Sequence, residues 1–100
     1  MKDSIQKLAY QLNSIIEELQ FNFDFYVGEP SLTRELILDR DAVAEQLRVL
    51  LDEYYCNDLR SYRRNGNEPM VMHTARLIAK IRTTKYYYDL VTITESMFKL

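Results

Sequence analysis

The chain has few of the residues that form turns, covalent cross-links and catalytic centres. Its 100 residues include 2 Gly, 2 Pro, one Cys, one His and no Trp. So little Gly and Pro excludes a loop-rich architecture and predicts long regular elements. The single Cys56 excludes an intramolecular disulfide and indicates a reducing compartment. No apolar run approaches the roughly 20 residues that span a bilayer, and no signal peptide is recognisable at the N-terminus. We therefore expect a soluble, cytoplasmic protein.

The residues of catalytic and metal sites are equally scarce. His73 and Cys56 are the only imidazole and thiol, whereas a zinc site needs about four such ligands. Cys56 also falls on an apolar helical stripe, which favours a small buried hydrophobic residue over a nucleophile. Gly28 and Gly66 alone cannot form a glycine-rich phosphate loop. The sequence therefore predicts no enzymatic activity, no metal and no cofactor.

The charge is unevenly distributed along a chain of otherwise ordinary composition. With 47% hydrophobic and 28% charged residues, we expect one folded domain over residues 1–100 with a modest core. Residues 1–59 carry 12 acidic and 5 basic side chains, and residues 60–100 carry 8 basic and 3 acidic ones. Either the two halves attract each other in the fold, or they present surfaces of opposite sign to a partner.

The hydrophobic pattern predicts an α+β protein that is mainly helical. Apolar residues at steps of three and four predict an N-terminal helix from Asp3 to Gln20. Phe21, Phe23, Phe25 and Val27 then alternate with polar residues or Tyr, a run of leucines follows over 32–38, and residues 28–31 between them favour a turn. These features predict a β-hairpin near residues 21–38. A helix starting at Ser31, and hence an all-α fold, is the alternative.

Two long helices are predicted after the hairpin. The first starts at Asp39-Arg40-Asp41, continues along a wide apolar stripe and ends at Asn65-Gly66, where a left-handed cap is expected. The second starts at Pro69 and runs to about residue 98, with a break near Thr83. The β-branched and tyrosine-rich stretch 85–94 leaves a third strand open as an alternative.

Basic residues and tyrosines of the second half form the predicted binding site. His73, Arg76 and Lys80 share one helical face, three arginines precede them, and a polar loop with a proline connects the two groups. Arg and Tyr are favoured anchors of protein–protein interfaces, while a net acidic chain is unlike dedicated nucleic-acid modules. Protein binding is therefore favoured over single-stranded nucleic-acid binding, with a structural homodimer as a further alternative. The predicted partner-binding residues are Arg60, Tyr62, Arg63, Arg64, Pro69, His73, Arg76 and Lys80.

In type, this compact, charged and tyrosine-rich chain resembles small bacteriophage-encoded host-takeover or anti-defence proteins. The resemblance extends over the whole chain and rests on no shared motif. It implies an inhibitor or modulator of a host nucleic-acid-processing enzyme, such as a recombination nuclease or a CRISPR effector. Its acidic residues would then form a negative surface that occupies the partner's nucleic-acid channel.

Overall fold

The computed structural model describes residues 1–25 and 30–98, and these fold into helices. α1 spans Lys2–Phe25, α2 spans Pro30–Arg64, α3 spans Glu68–Thr83 and α4 spans Tyr87–Met97. At a rise of about 1.5 Å per residue, the 35 residues of α2 extend over roughly 52 Å. The longest dimension of the protein is 55 Å, so α2 is the axis on which the other helices assemble. None of the helices in these ranges is long and apolar enough to cross a membrane.

α1 and α3 both run antiparallel to α2. The Nζ of Lys2 lies 5.7 Å from the centroid of the Tyr54 ring, which places the start of α1 beside the second half of α2. An ion pair between Arg82 and Asp52 places the end of α3 near the middle of α2. α4 packs on α1 and α2. Side chains from all four helices form a buried cluster: Ile5, Ala9, Leu12, Ala44, Leu47, Leu51, Ile81, Leu90, Val91 and Ile93.

The predicted β-hairpin near residues 21–38 is wrong, and the α+β fold class with it. Residues 21–25 belong to α1 and residues 30–38 to α2, and no strand occurs in the described part of the chain; residues 26–29 of the predicted hairpin lie outside it. A strand would have placed Leu32, Leu36 and Leu38 on one face. Instead Leu36 is buried, while Leu32 and Leu38 are 43% and 62% exposed. Leu36 follows the helical spacing that leads to Leu47, so a continuous helix buries it with the core.

The predicted start of a helix at Asp39-Arg40-Asp41 is also wrong, since these residues lie inside α2. Acidic residues favour helix starts because they can accept hydrogen bonds from free amides there. Here Asp41 instead accepts a hydrogen bond from the Tyr87 hydroxyl at 2.6 Å. Asp41 therefore takes part in a tertiary contact and does not cap a helix. α2 begins nine residues before Asp39, at Pro30.

The connection between α2 and α3 agrees with its prediction. Gly66 adopts the left-handed conformation, with φ of 70°, and Asn67 caps α3 by accepting a hydrogen bond from the Met70 amide at 3.5 Å. Pro69 lies in the first turn of α3, and its peptide bond with Glu68 is trans.

The long C-terminal helix is divided into α3 and α4, as expected for a break near Thr83. A three-residue linker, residues 84–86, separates the two helices. The alternative of a strand over 85–94 is wrong, because residues 87–97 are helical. Helical spacing buries Leu90, Val91 and Ile93 against α1 and α2, and this outweighs the β propensity of the segment.

Candidate functional site

The predicted binding residues lie mostly on a two-helix arm, residues 59–77, at one end of the protein. α1 starts beside Tyr54, so the last two turns of α2 extend beyond it and pack on the first half of α3. The arm is held by side chains that are half-buried rather than buried, apart from the fully buried Thr74. These half-buried contacts are Leu59, Tyr62, Met70, Val71 and Leu77.

The arm carries four arginines and a single acidic residue, Glu68. Arg60 donates a hydrogen bond to the neutral side chain of Asn57 at 3.2 Å, and none of the four makes an ion pair with any residue that the structure describes. Arg63 and Arg64 occupy the last turn of α2, where a positive charge interacts favourably with the helix dipole. The arginines are exposed, so Arg63, Arg64 and Arg76 can reach another molecule.

The structure does not bring all the predicted residues into one patch. Arg63 lies three helical turns from Asp52 and on the same side of α2, where Asp52 pairs with Arg82. His73 lies half a rotation away from Arg82 on α3, and therefore on the opposite side of the helix pair. Arg76 and Lys80 share the side of His73, and Pro69 is exposed in the first turn of α3. The arm therefore presents two basic faces.

Tyr62 is not available beside the arginines as an exposed ring. It is half-buried on α2, two helical turns from Tyr55. Burial, followed by the neighbouring Tyr54, Asp58 and Tyr62, raises the pKa of Tyr55 to about 12. Tyr54, Tyr55 and Tyr62 therefore lie close together where the arm joins the bundle.

The opposite end of the protein is acidic. Glu17, Glu18, Glu35 and Asp39 are exposed there, on α1 and on the first third of α2. Of the three ion pairs in the described residues, only Arg82–Asp52 joins the acidic and the basic half of the sequence. An exposed pair contributes at most about 1 kcal/mol. Attraction between the two halves is therefore a minor part of the fold, and the charge is separated along the molecule.

Cys56 belongs to a hydrogen-bonded cluster and is not the buried hydrophobic residue that its sequence position predicted. Its half-buried thiol donates to Asp52 Oδ1 at 3.3 Å, and Arg82 Nη2 contacts both Asp52 Oδ1, at 3.0 Å, and the sulfur, at 3.7 Å. Burial and the hydrogen bond to Asp52 raise the pKa of the thiol. His73 lies on the far side of α3, so the two residues do not form a nucleophile–base pair. No three His, Cys, Asp or Glu side chains among the described residues converge as metal ligands.

A second surface surrounds the α3–α4 linker, which several hydrogen bonds hold in place. The Arg48 guanidinium donates to the carbonyl of Ile81 and, at 3.1 Å, to that of Thr84. The Thr84 hydroxyl donates to Asp89 at 2.7 Å and accepts from the Tyr86 amide at 3.2 Å. Thr84 is thus joined both to Tyr86 in the linker and to Asp89 in the first turn of α4, so the linker has a defined conformation.

Tyr87 fastens the beginning of α4 to α2. Its ring lies under the Arg40 guanidinium, 4.2 Å from the ring centroid, and its hydroxyl donates to Asp41. This hydrogen bond, with help from Arg40, lowers the pKa of Asp41, and the same bond raises the pKa of Tyr87. Tyr87 is therefore a structural residue.

The neighbouring tyrosines, in contrast, project into solvent. Tyr86 is 76% and Tyr88 54% exposed. With Tyr87 they border a groove of about 270 Å³ whose remaining lining residues are Ile16, Leu19, Arg40 and Lys85. We call this feature the tyrosine groove. The run Tyr86-Tyr87-Tyr88 after Lys85 was the sequence signal for it, but the sequence did not show which rings are exposed or that α1 and α2 contribute to the groove.

No protein-family model matches the chain, and neither a curated protein nor a solved structure matches it significantly.

Proposed function

We propose that this is a non-enzymatic binding protein whose arm engages an acidic surface of a protein partner. The observation that carries the proposal is the set of four exposed arginines on the arm, none of which has an ion-pair partner in the described chain. Arginine suits such a role because its planar guanidinium makes bidentate hydrogen bonds to carboxylates.

A protein partner is favoured over single-stranded nucleic acid by the positions of the aromatic rings. Binding of single strands combines phosphate contacts with base stacking on exposed rings. On the arm Tyr62 is half-buried, and the exposed Tyr86 and Tyr88 lie beyond the other end of α3, in the linker and in the first turn of α4. The arm therefore offers cations without a stacking platform. Nucleic-acid binding is the second candidate because the arginines alone suffice for weak, salt-dependent phosphate contacts.

The more specific role that we propose is inhibition or modulation of a host nucleic-acid-processing enzyme. Its support is the resemblance in type to small phage proteins, together with the separation of charge along the molecule. The acidic end, with Glu17, Glu18, Glu35 and Asp39 exposed, would contact a positively charged nucleic-acid channel, while the arm contacts an acidic surface nearby. Opposite potentials at two ends would fix the orientation of the complex.

The test is affinity capture from a bacterial lysate with the wild-type chain and the double variant Arg63→Glu, Arg64→Glu. We expect the double variant to lose the captured protein, because both charges are reversed at the end of the arm. Arg34→Glu, which reverses an exposed charge on the first turns of α2, is the matched control and should retain capture. Equal capture by the double variant would contradict the proposal.

Nuclease and gel-shift assays separate the remaining alternatives. For the inhibitor role, purified protein should reduce the activity of the captured enzyme in proportion to the amount added. For the nucleic-acid alternative, a single-stranded oligonucleotide should shift at low salt and the shift should vanish as salt increases. A shift without any captured protein would favour the second candidate.

A further inference from the structure

We propose that two copies of this chain associate antiparallel through one exposed stripe of α2, with the acidic end of each stripe facing the arginines of the other. The facing pairs are Glu35 with Arg64 and Asp39 with Arg60. This dimer goes beyond the function proposed for the arm, because it forms whether or not the arm has another partner. It rests on the exposure of the stripe, the order of its charges and a groove beside its acidic end.

The stripe, which we call the outer stripe, follows α2 for almost its whole length. It runs from Glu35 to Arg64 in steps of three or four residues, and at about 100° per residue its members fall within an arc of about 80°. Every one of them is exposed, so no helix in the described ranges covers the stripe. Arg34 and Arg63 lie about 90° round the helix and outside it. The other members are Asp39, Ala42, Gln46, Val49, Glu53, Asn57 and Arg60.

The charges of the outer stripe are separated by sign. Glu35 and Asp39 lie at its start, and Arg60 and Arg64 at its end. None of these four side chains forms an ion pair with any residue that the structure describes. Arg60 donates a hydrogen bond to Asn57, which is neutral and belongs to the same stripe. The charges at both ends are therefore uncompensated within one chain.

This order of charges makes the outer stripe complementary to itself. A two-fold axis near Val49 brings Glu35 of one copy opposite Arg64 of the other. The same axis brings Asp39 opposite Arg60. Because a two-fold interface repeats each contact, the dimer gains these pairs twice. A parallel arrangement would instead place like charges together, so the sequence of charges selects the antiparallel pair.

The middle of the outer stripe also fits its own copy. Glu53 is its only charged residue, and in the antiparallel pair it lies opposite Gln46, whose amide can donate a hydrogen bond to the carboxylate. Ala42 lies opposite Asn57. Val49 is 55% exposed and lies close to the axis, where it packs against its counterpart. No like charges therefore oppose each other along the stripe.

A groove beside the acidic end adds an aromatic contact. Tyr10 of α1 is 68% exposed and lines a groove together with Asp39 and Ala42. In the antiparallel pair Arg60 of the other copy faces this groove. Its guanidinium can pair with Asp39 and stack on the Tyr10 ring, as arginine does at many interfaces. The second copy thus contacts α1 as well as α2.

The dimensions of the outer stripe predict a weak dimer. From Glu35 to Arg64 it extends over roughly 45 Å. Two helices packed along this length at about 8–10 Å bury on the order of 1,000 Å² in total, the lower limit for a specific interface. Because the contacts are mostly polar, we expect a Kd on the order of 100 µM that rises with salt.

The experiment is sedimentation equilibrium of the purified full chain at concentrations from about 10 µM to about 1 mM. We expect dimers at an ionic strength of about 0.01 M and at least about tenfold weaker association at about 1 M, where the Debye length falls to about 3 Å. A chain that stays monomeric at about 1 mM and low salt would overturn the proposal.

A charge exchange tests which residues face each other. The variants are Arg60→Glu with Arg64→Glu, and Glu35→Lys with Asp39→Lys. Each variant alone should dimerise at least about tenfold more weakly, because attractive pairs become repulsive at both ends. Mixed together they should form a heterodimer about as stable as the wild type, because both sets of pairs are then opposite in charge. If either variant alone dimerises like the wild type, or if mixing restores nothing, the antiparallel pair is wrong.

Controls on α3 match these changes in charge and exposure. Arg76→Glu with Lys80→Glu reverses two exposed charges outside the outer stripe and should leave dimerisation unchanged. Val49→Asp places two carboxylates beside the axis and should weaken the dimer at least about tenfold. Met72→Asp is its control, since Met72 is also 55% exposed. Equal effects of Val49→Asp and Met72→Asp would contradict the position of the interface.

The measurements distinguish this proposal from that for the arm. Dimerisation is measured on the purified chain alone, whereas the function of the arm is measured by capture from a lysate. Val49→Asp should be monomeric and still capture the partner, because it leaves the arginines of the arm unchanged. A monomeric wild type contradicts only the dimer, and failure of the wild type to capture a partner contradicts only the function of the arm.

Discussion

Arg48 is expected to be the side chain whose polar contacts stabilise the fold most. Its guanidinium reaches from α2 to the carbonyls of Ile81 and Thr84, at the end of α3, where helical carbonyls lack partners within the helix. Arg48→Ala removes both hydrogen bonds and leaves the carbonyl of Ile81 in a part-buried position. Hydrogen bonds to charged groups contribute about 1.5–3 kcal/mol each, and more exposed ones less. Since the Arg48 side chain is 23% exposed, we expect a total loss of about 2 kcal/mol.

The assay is equilibrium unfolding in urea, followed by far-ultraviolet circular dichroism. In a domain of this size, a loss of 2 kcal/mol lowers the melting temperature by roughly 10 °C. Arg48→Lys should recover about half of the loss, because one ammonium can reach one carbonyl but lacks the planar fork that reaches both. The comparison requires that the variants and the wild type have the same m-value, which is the slope of the unfolding free energy against urea concentration.

A control separates the two carbonyl contacts from the local ion pair of Arg48. Glu45 lies 3.8 Å from the guanidinium and its side chain is 70% exposed, so Glu45→Ala should change stability by less than about 0.5 kcal/mol. The reasoning is refuted if Arg48→Ala costs no more than Glu45→Ala. It is also refuted if amide exchange at Thr84 and Tyr86 stays as slow in Arg48→Ala as in the wild type, since the linker would then not depend on Arg48.

Other contacts give predictions of the same kind. Arg82 holds the pKa of Asp52 below its ordinary value, so this group stabilises the fold above about pH 4 and loses that contribution as the pH falls through its lowered pKa; urea titrations should show a flatter profile between pH 5 and 3 for Asp52→Asn. Because burial and Asp52 raise the pKa of Cys56, iodoacetamide should react faster with the thiol in Asp52→Asn than in the wild type at pH 8, and equal rates would argue against the cluster. Gly66 has a φ of 70° with open space around it, so Gly66→Ala should cost about 1 kcal/mol in thermal unfolding and Gly66→Asn less.

The sequence determined the elements whose signals are local. Apolar residues at steps of three and four predicted most of α1 and most of α2, and the Asn65–Pro69 segment predicted the boundary between α2 and α3. These predictions held because a helix end depends on the φ that Gly66 permits, the amide that Pro69 lacks and the oxygen that Asn67 offers. All of these are properties of the residues themselves. The exposure of the arginines near this boundary followed from the same helical spacing.

Tertiary contacts decided the structure of the segments whose hydrophobic pattern fits both a helix and a strand. The run over 32–38 alternates well enough for a strand, but the burial of Leu36, with Leu32 and Leu38 exposed, is that of a helix face. Tertiary contacts also decided which basic residues have partners. Arg40, Arg48 and Arg82 have partners distant in sequence, whereas the arginines of the arm extend past α1 and have none. Spacing along the chain cannot separate these two groups. A basic side chain has a distant partner only where another helix packs beside it, and that depends on how the helices are arranged.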